Sequence, residues 1–248
     1  MKAIILAGGK GKRLMSEVYD LPKALRSVNG KAMLDYVLES TQFCDEILIV
    51  VGYKKNVIIE HTKKKYTYIY QNKQLGTGHA TLCALPALVD YDGPILVAFG
   101  DMPLFKKSTY KDMFEIHNEN KADCTILTSV ISDGEPLPKY GRILRNQNNE
   151  FEKVKEDKDC NEIEKQVREV NVGVLVCDSK KMFECLKEVG NNNNQNEYYL
   201  TELPEIMKNK KYKVITHTLY NSDEIYGANT IEDLNLVEKI LKERTADD

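Results

Sequence analysis

Short apolar runs punctuate the first hundred positions, and between them the apolar residues fall three and four apart. Ala3-Ile4-Ile5-Leu6-Ala7, Ile47-Leu48-Ile49-Val50-Val51-Gly52 and Ile95-Leu96-Val97-Ala98-Phe99 are continuous, the pattern of strands buried on both faces. Tyr66-Thr67-Tyr68-Ile69-Tyr70 predicts one more strand. Leu25 to Lys31 reads as a short extended piece closed by an Asn29-Gly30 turn. Leu34, Val37 and Leu38 share one helix face, a charged helix is expected over about 54–64, and Gln74 to His79 opens a helix carrying Ala80, Ala84, Leu85 and Leu88. This βαβα alternation implies a parallel sheet covered on both faces. Ligands of such sheets sit outside the carboxyl ends of the strands. Gly8 and Asp101 both follow strand ends, so they are expected on one edge.

The second half is less regular. Tyr140 to Leu144 and Phe151 to Val154, joined by a turn at 146–149, predict a hairpin, and Val170 to Val176 another strand. Residues 130–170 are taken as a β-rich flap within a single domain spanning 1–248. Ile231, Leu234, Val237 and Leu241 mark a last helix, opened by Thr230 with Asp233 three residues on, a capping box with Asp in place of Glu or Gln. By composition alone, Asn191 to Asn196 is a disordered loop.

Chemistry enters directly after the first strand, in the loop LAGGKGKRL (6–14), followed by Pro22-Lys23. Glycines at 8, 9 and 11 allow a tight turn whose backbone N–H groups face an anion, and Lys10, Lys12, Arg13 and Lys23 surround it with positive charge. A nucleoside triphosphate suits such a cradle. The loop matches neither the P-loop, which needs G-x-x-x-x-G-K-[ST], nor the dinucleotide fingerprint, which needs glycine where Leu14 stands.

The bulk properties narrow the setting. The 248 residues are 42% hydrophobic and 29% charged with a formal net charge of −3, which argues against nucleic acid as the main partner. No apolar run reaches the length of a membrane span, and Met1-Lys2 leads straight into a strand with no signal-peptide core. The six cysteines are scattered without a C-x-x-C, so zinc is not expected and reduced thiols in a cytoplasmic protein are.

Taken together, LAGGKGKRL (6–14), LPKAL (21–25), QLGTGHA (74–80), GDMPL (100–104), YGRI (140–143), VNVGV (170–174), NNNNQNEYYLTE (191–202) and GANT (227–230) resemble the N-terminal pyrophosphorylase domain of bacterial N-acetylglucosamine-1-phosphate uridylyltransferases. The likeness runs over roughly residues 3–240. The glycine loop and the Pro-Lys and Gly-Asp pieces occur across sugar-phosphate nucleotidyltransferases, whereas QLGTGHA and EYYLTE are closer to the uridylyltransferase branch. The resemblance implies a Rossmann-like, doubly wound mixed α/β sheet of the nucleotide-diphospho-sugar transferase type, with the asparagine run an ordered loop. Asn196 and Glu202 stand where that family usually has Gly and Asp. The bifunctional enzymes carry an acetyltransferase β-helix after this domain. No hexapeptide repeat occurs within these 248 residues, so acetyl transfer and β-helix-driven trimerisation are not expected.

The implied reaction is attack by a phosphate oxygen of N-acetylglucosamine-1-phosphate on the α-phosphorus of UTP, with loss of pyrophosphate. It implies roles for particular residues. Arg13 and Lys23 are the catalytic cations, and Mg2+ is expected on Asp101 and Asn229. Leu6, Gly8, Gly9, Gly11, Gln71, Gly76 and Thr77 are nucleotide-binding candidates, Gln71 and Gly76 at the uracil. Gly141, Glu156, Asn171 and Thr201 are sugar-binding candidates, with Asp157 one residue away as the competitor to Glu156. A glucose-1-phosphate uridylyl- or thymidylyltransferase, or a cytidylyltransferase, is the alternative within the class. A non-catalytic nucleotide-binding scaffold is the alternative outside it.

Overall fold

The computed structural model describes residues 1–11, 14, 20–220 and 222–246, the last two by backbone only. Its centre is a nine-stranded sheet. β1 (Lys2–Leu6) lies between β4 (Glu46–Val51) and β6 (Pro94–Phe99), and β5 (Thr67–Tyr70) forms the far edge beside β4, all parallel. The alternation of side chains explains the apolar runs. Ile5, Ile49 and Ala98 enter one core layer, whereas Ile4, Leu48 and Val97 enter the layer on the opposite face.

Helices cover both layers. α1 (Met33–Ser40), α2 (Lys55–His61) and α5 (Lys107–Glu119) pack Leu34, Val37, Ile58, Tyr110 and Phe114 against the first. α3 (Thr77–Leu82), α4 (Leu85–Leu88), α6 (Ser179–Leu186) and α7 (Leu203–Asn209) pack Ala80, Leu88, Phe183 and Met207 against the second. Between β1 and α1, β2 (Ser27–Val28) and β3 (Lys31–Ala32) pair across the Asn29-Gly30 turn, where both residues have positive φ.

The sheet is mixed. β10 (Glu169–Asp178) runs antiparallel to both β6 and β7 (Cys124–Val130), and β11 (Val214–Tyr220) is parallel to β7. This departs from the all-parallel sheet that the first hundred residues imply. The physical reason is the hairpin β8 (Arg142–Arg145) and β9 (Phe151–Lys155), which returns the chain to the carboxyl edge so that β10 starts there. Asn171, near the start of β10, is thereby carried to the same edge as Gly8 and Asp101.

Two helices differ from expectation. The charged helix ends at His61, with Lys63 and Lys64 at positive φ, rather than at 64. The helix after QLGTGHA divides into α3 and α4, because Pro86 lacks the N–H that would bond one turn back. α8 (Ile231–Ala246) buries Leu234, Val237, Ile240 and Leu241 in a third cluster with Leu14, Val28 and Met33. Its start is the expected capping box: Asp233 accepts from the backbone N–H of Thr230 at 2.9 Å, and Thr230 Oγ1 accepts from that of Asp233 at 3.2 Å.

Candidate active site

A cleft of about 790 Å3 opens at the carboxyl ends of β1 and β6. Leu6, Gly8, Gly9, Lys23, Gln71, Gly76, Thr77, Asp101, Gly141, Glu156, Asn171, Thr201 and Asn229 all line it. Gly11, at φ +66, does not. Arg13, the second catalytic candidate, lies outside the described residues.

On one side of the cleft the wall is largely backbone. The loops after β1, β4 and β5 close on each other: the Tyr53 N–H donates to the Gly8 carbonyl at 3.1 Å, and the Gln71 N–H to the Val51 carbonyl at 2.8 Å. A Cβ on Gly9 would meet nothing within 4 Å, so that face of the loop is open to a ligand. Gln71 is not an exposed residue after a strand. It is only 5% exposed, and its Nε2 donates to the Gly76 carbonyl at 3.0 Å and contacts His79 Nδ1 at 3.1 Å.

At the floor, Lys23 joins the two metal candidates. Its Nζ donates to Asn229 Oδ1 at 2.8 Å and forms an ion pair with Asp101. The backbone carrying Asp101 and Asn229 is held from behind. Asp101 follows β6, and its carbonyl accepts from the Ala228 N–H at 3.2 Å, which anchors the GANT segment. Tyr140 is half-buried, and desolvation pushes its phenol up to about 12; it donates to the Ile225 carbonyl at 3.0 Å and accepts from the Gly227 N–H. Thr230 caps α8 with its hydroxyl, which leaves the Asn229 amide free to face the cleft. One carboxylate and one carboxamide oxygen thus converge on one cation, a hard-oxygen donor set that suits Mg2+.

The opposite side is built from side chains. Glu156 is half-buried in the cleft wall, and desolvation there raises its carboxyl above the usual range, partly offset by the hydrogen bond from Thr201 Oγ1 at 2.8 Å. Asp157 turns away to pair with Arg142 at 3.1 Å, so Glu156 and not its neighbour lines the cleft. The Asn171 N–H donates to the Gly141 carbonyl at 2.8 Å, and its Oδ1 accepts from the Gly173 N–H at 3.2 Å.

The asparagine-rich tract is ordered by its own side chains. Asn193 Oδ1 accepts from the N–H groups of Gln195 and Glu197, and its Nδ2 donates to the Glu197 carbonyl at 2.6 Å. Asn194 ties the tract to Lys158 and Asp159. Asn196 sits at φ +53, the left-handed conformation that explains why glycine is usual there and asparagine is tolerated.

The two most specific motifs, QLGTGHA and NEYYLTE, prove to be one structural unit. The Tyr198 N–H donates to the Leu75 carbonyl and the Gly78 N–H to the Tyr198 carbonyl, each at 2.8 Å, while Thr77 Oγ1 accepts from the Leu200 N–H at 3.0 Å. This revises the expected reason for Gly76. A Cβ there would lie 2.5 Å from the Tyr198 carbonyl oxygen, and φ is +116, so the glycine is required by the Tyr198 backbone whatever approaches from the cleft.

Tyr140, Gln74, His79 and Tyr199 also shape the site, and sequence reasoning assigned none of them. All four lie inside quoted motifs, Tyr140 in YGRI, Gln74 and His79 in QLGTGHA and Tyr199 in NNNNQNEYYLTE, which was the available signal. Among the described residues no cluster of three or more His, Cys, Asp or Glu is placed to hold a metal. Among them, too, no helix is long and apolar enough to cross a membrane.

An α/β sheet with a glycine loop, a lysine and an Asp–Asn pair at its carboxyl edge defines a nucleotide-handling transferase. The chain belongs to the MobA-like NTP transferase domain family, whose model matches residues 3–170, and is a nucleotidyltransferase domain. It is 38% identical over 243 residues to "Bifunctional protein GlmU" of Acholeplasma laidlawii and 42% identical over 243 residues to that of Levilactobacillus brevis. Each match covers 97% of this chain but 51% and 52% of the relative, so the chain spans about half their length. A UDP-glucose pyrophosphorylase complexed with UDP-glucose superposes with a TM-score of 0.77 over 98% of both chains at 19% identity, a likeness of fold.

Proposed function

We propose that this chain is a cytoplasmic uridylyltransferase that joins UMP from UTP to N-acetylglucosamine-1-phosphate, releasing pyrophosphate. One observation carries the reading. Lys23, Asp101 and Asn229 converge at the floor of a cleft with an open glycine loop on one side and the Glu156–Thr201 pair on the other. Two anionic substrates would lie end to end across that floor.

The sugar phosphate brings its own nucleophilic oxygen, so the protein's task is alignment and charge compensation rather than proton transfer. The open face of the glycine loop would receive the β- and γ-phosphates, with Arg13 as a bidentate partner. Lys23 would neutralise charge at the α-phosphate, between the two reactants. Asp101 and Asn229 would hold Mg2+, which when bound supplies further neutralisation of the phosphates and orients them. Glu156 would accept from a sugar hydroxyl, and Asn171 and Thr201 would meet the acetamido group.

The test is a kcat/KM series for pyrophosphate release with UTP and a panel of sugar-1-phosphates. Removing the acetamido group should leave polar groups of the site unpaired, so glucose-1-phosphate should be used roughly tenfold less well than the N-acetylated sugar. Equal or better use of glucose-1-phosphate would replace the substrate by glucose-1-phosphate and leave the reaction class intact.

A further inference from the structure

The Gln71 carboxamide has both of its N–H bonds committed. Nε2 lies 3.0 Å from the Gly76 carbonyl oxygen and 3.1 Å from His79 Nδ1. A carbonyl can only accept, so the amide end facing Gly76 must be the NH2. The second N–H then falls on His79, whose Nδ1 must accept, which puts the ring proton on Nε2. Cys83 Sγ, 3.9 Å from the ring nitrogens, is a weak competitor for the same lone pair. Burial lowers the His79 pKa, so the neutral, accepting form is favoured.

The consequence lies at the other end of the amide. Oε1 makes no hydrogen bond among the described residues, although Gln71 is only 5% exposed. It sits beside the glycine loop: a Cβ on Gly8 would lie 3.1 Å from it. The cleft therefore presents a single oriented acceptor next to the first glycine of the loop. Uracil, like thymine, offers one N–H between two carbonyls on its pairing edge. Cytosine carries a lone pair at that ring nitrogen, which an oxygen acceptor repels.

We infer that His79 is a positioning residue for base selection, holding the Gln71 amide so that Oε1 faces the ring N–H of uracil and rejects cytosine. This deepens the uridylyltransferase reading and rests on it. A simple packing role for His79 would tie it to stability and to turnover with any nucleotide alike. A positioning role ties it to the choice between nucleotides.

The experiment reads kcat/KM for UTP divided by kcat/KM for CTP, in the wild-type chain and in His79→Leu and His79→Asn. The quotient does not depend on the active fraction, so a variant that folds poorly still reports. His79→Leu removes the acceptor and should narrow the preference roughly fivefold, the scale of one neutral hydrogen bond, mainly through a higher KM for UTP. His79→Asn returns an acceptor oxygen and should recover most of the preference. UTP methylated at the ring N–H should be a poor substrate for all three proteins. If the wild type prefers UTP but His79→Leu keeps the full preference, or loses UTP and CTP in proportion, the positioning role is wrong and the uridylyl reading stands. If the wild type shows no preference for UTP, both fall together.

Discussion

The two walls of the cleft are made in different ways. The wall carrying Gly8, Gly9 and Gln71 is built from loops that directly follow parallel strands, and its shape is set by backbone hydrogen bonds. The wall carrying Glu156, Asn171 and Thr201 comes from a hairpin, an antiparallel strand and the asparagine-rich loop, and is set by side chains, including a half-buried carboxylate. A backbone wall suits the constant part of a nucleotide. A side-chain wall can change its preference through few substitutions. The walls are not independent, because Gly76, Thr77 and Tyr198 stitch them together.

The largest expected effect comes from the floor that both walls share. Asp101→Asn should lower turnover on the order of 10²-fold or more, the scale of losing one preorganised electrostatic contact, without altering the fold. Near-normal Mg2+-dependent turnover in that variant, measured by pyrophosphate release, would remove Asp101 from the site.

Breaking the stitch should damage both walls at once. Gly76→Ala places a methyl group against the Tyr198 backbone at a positive φ and should cost about 1–3 kcal/mol in chemical denaturation. The KM values for nucleotide and sugar phosphate should rise together. A variant that raised only the nucleotide KM would show that the two motifs act separately.

Glu156→Gln should separate the walls. We expect the KM for the sugar phosphate to rise about tenfold while that for UTP stays constant. In the wild type, kcat/KM for the sugar should decline as the pH falls through the raised pKa of Glu156, and the variant should lack that limb. Stability has the opposite sense. A carboxyl raised by burial contributes stability below its unfolded pKa and loses it as pH rises through the folded one. Glu156→Gln should therefore gain Tm relative to wild type at neutral pH and lose that advantage in acid.

The smallest effect is expected one residue away. Asp157→Asn removes the charge beside the buried Arg142 but keeps an oxygen that can accept from it, and Arg142 retains its carbonyl partners, so the sugar KM should stay unchanged.

The same contrast explains what could be read from the sequence. β1, β4 and β6 are apolar throughout because both sheet faces are covered, so their runs stand out and the loop residues after them can be placed. β7 hides because Thr125, Thr128 and Ser129 are buried within it. Thr125 and Thr128 find partners in His117, Glu169 and Thr218, contacts invisible to local patterning. Glu156 stands in a charged run where spacing gives no choice between it and Asp157, and only the pairing of Asp157 with Arg142 separates them. The Lys23–Asp101–Asn229 convergence joins residues far apart in the chain, and the motif resemblance alone suggested it. The asparagine tract looks disordered by composition, yet its amides bond to neighbouring backbone and hold it in shape.

The most direct measurement is product formation by the 248-residue chain alone, with UTP, N-acetylglucosamine-1-phosphate and Mg2+. UDP-N-acetylglucosamine and pyrophosphate should form in equal amounts, with product lost on chelating the metal. Tight binding of UTP with no pyrophosphate released from any sugar-1-phosphate would contradict the uridylyltransferase reading and leave a nucleotide-binding scaffold in its place.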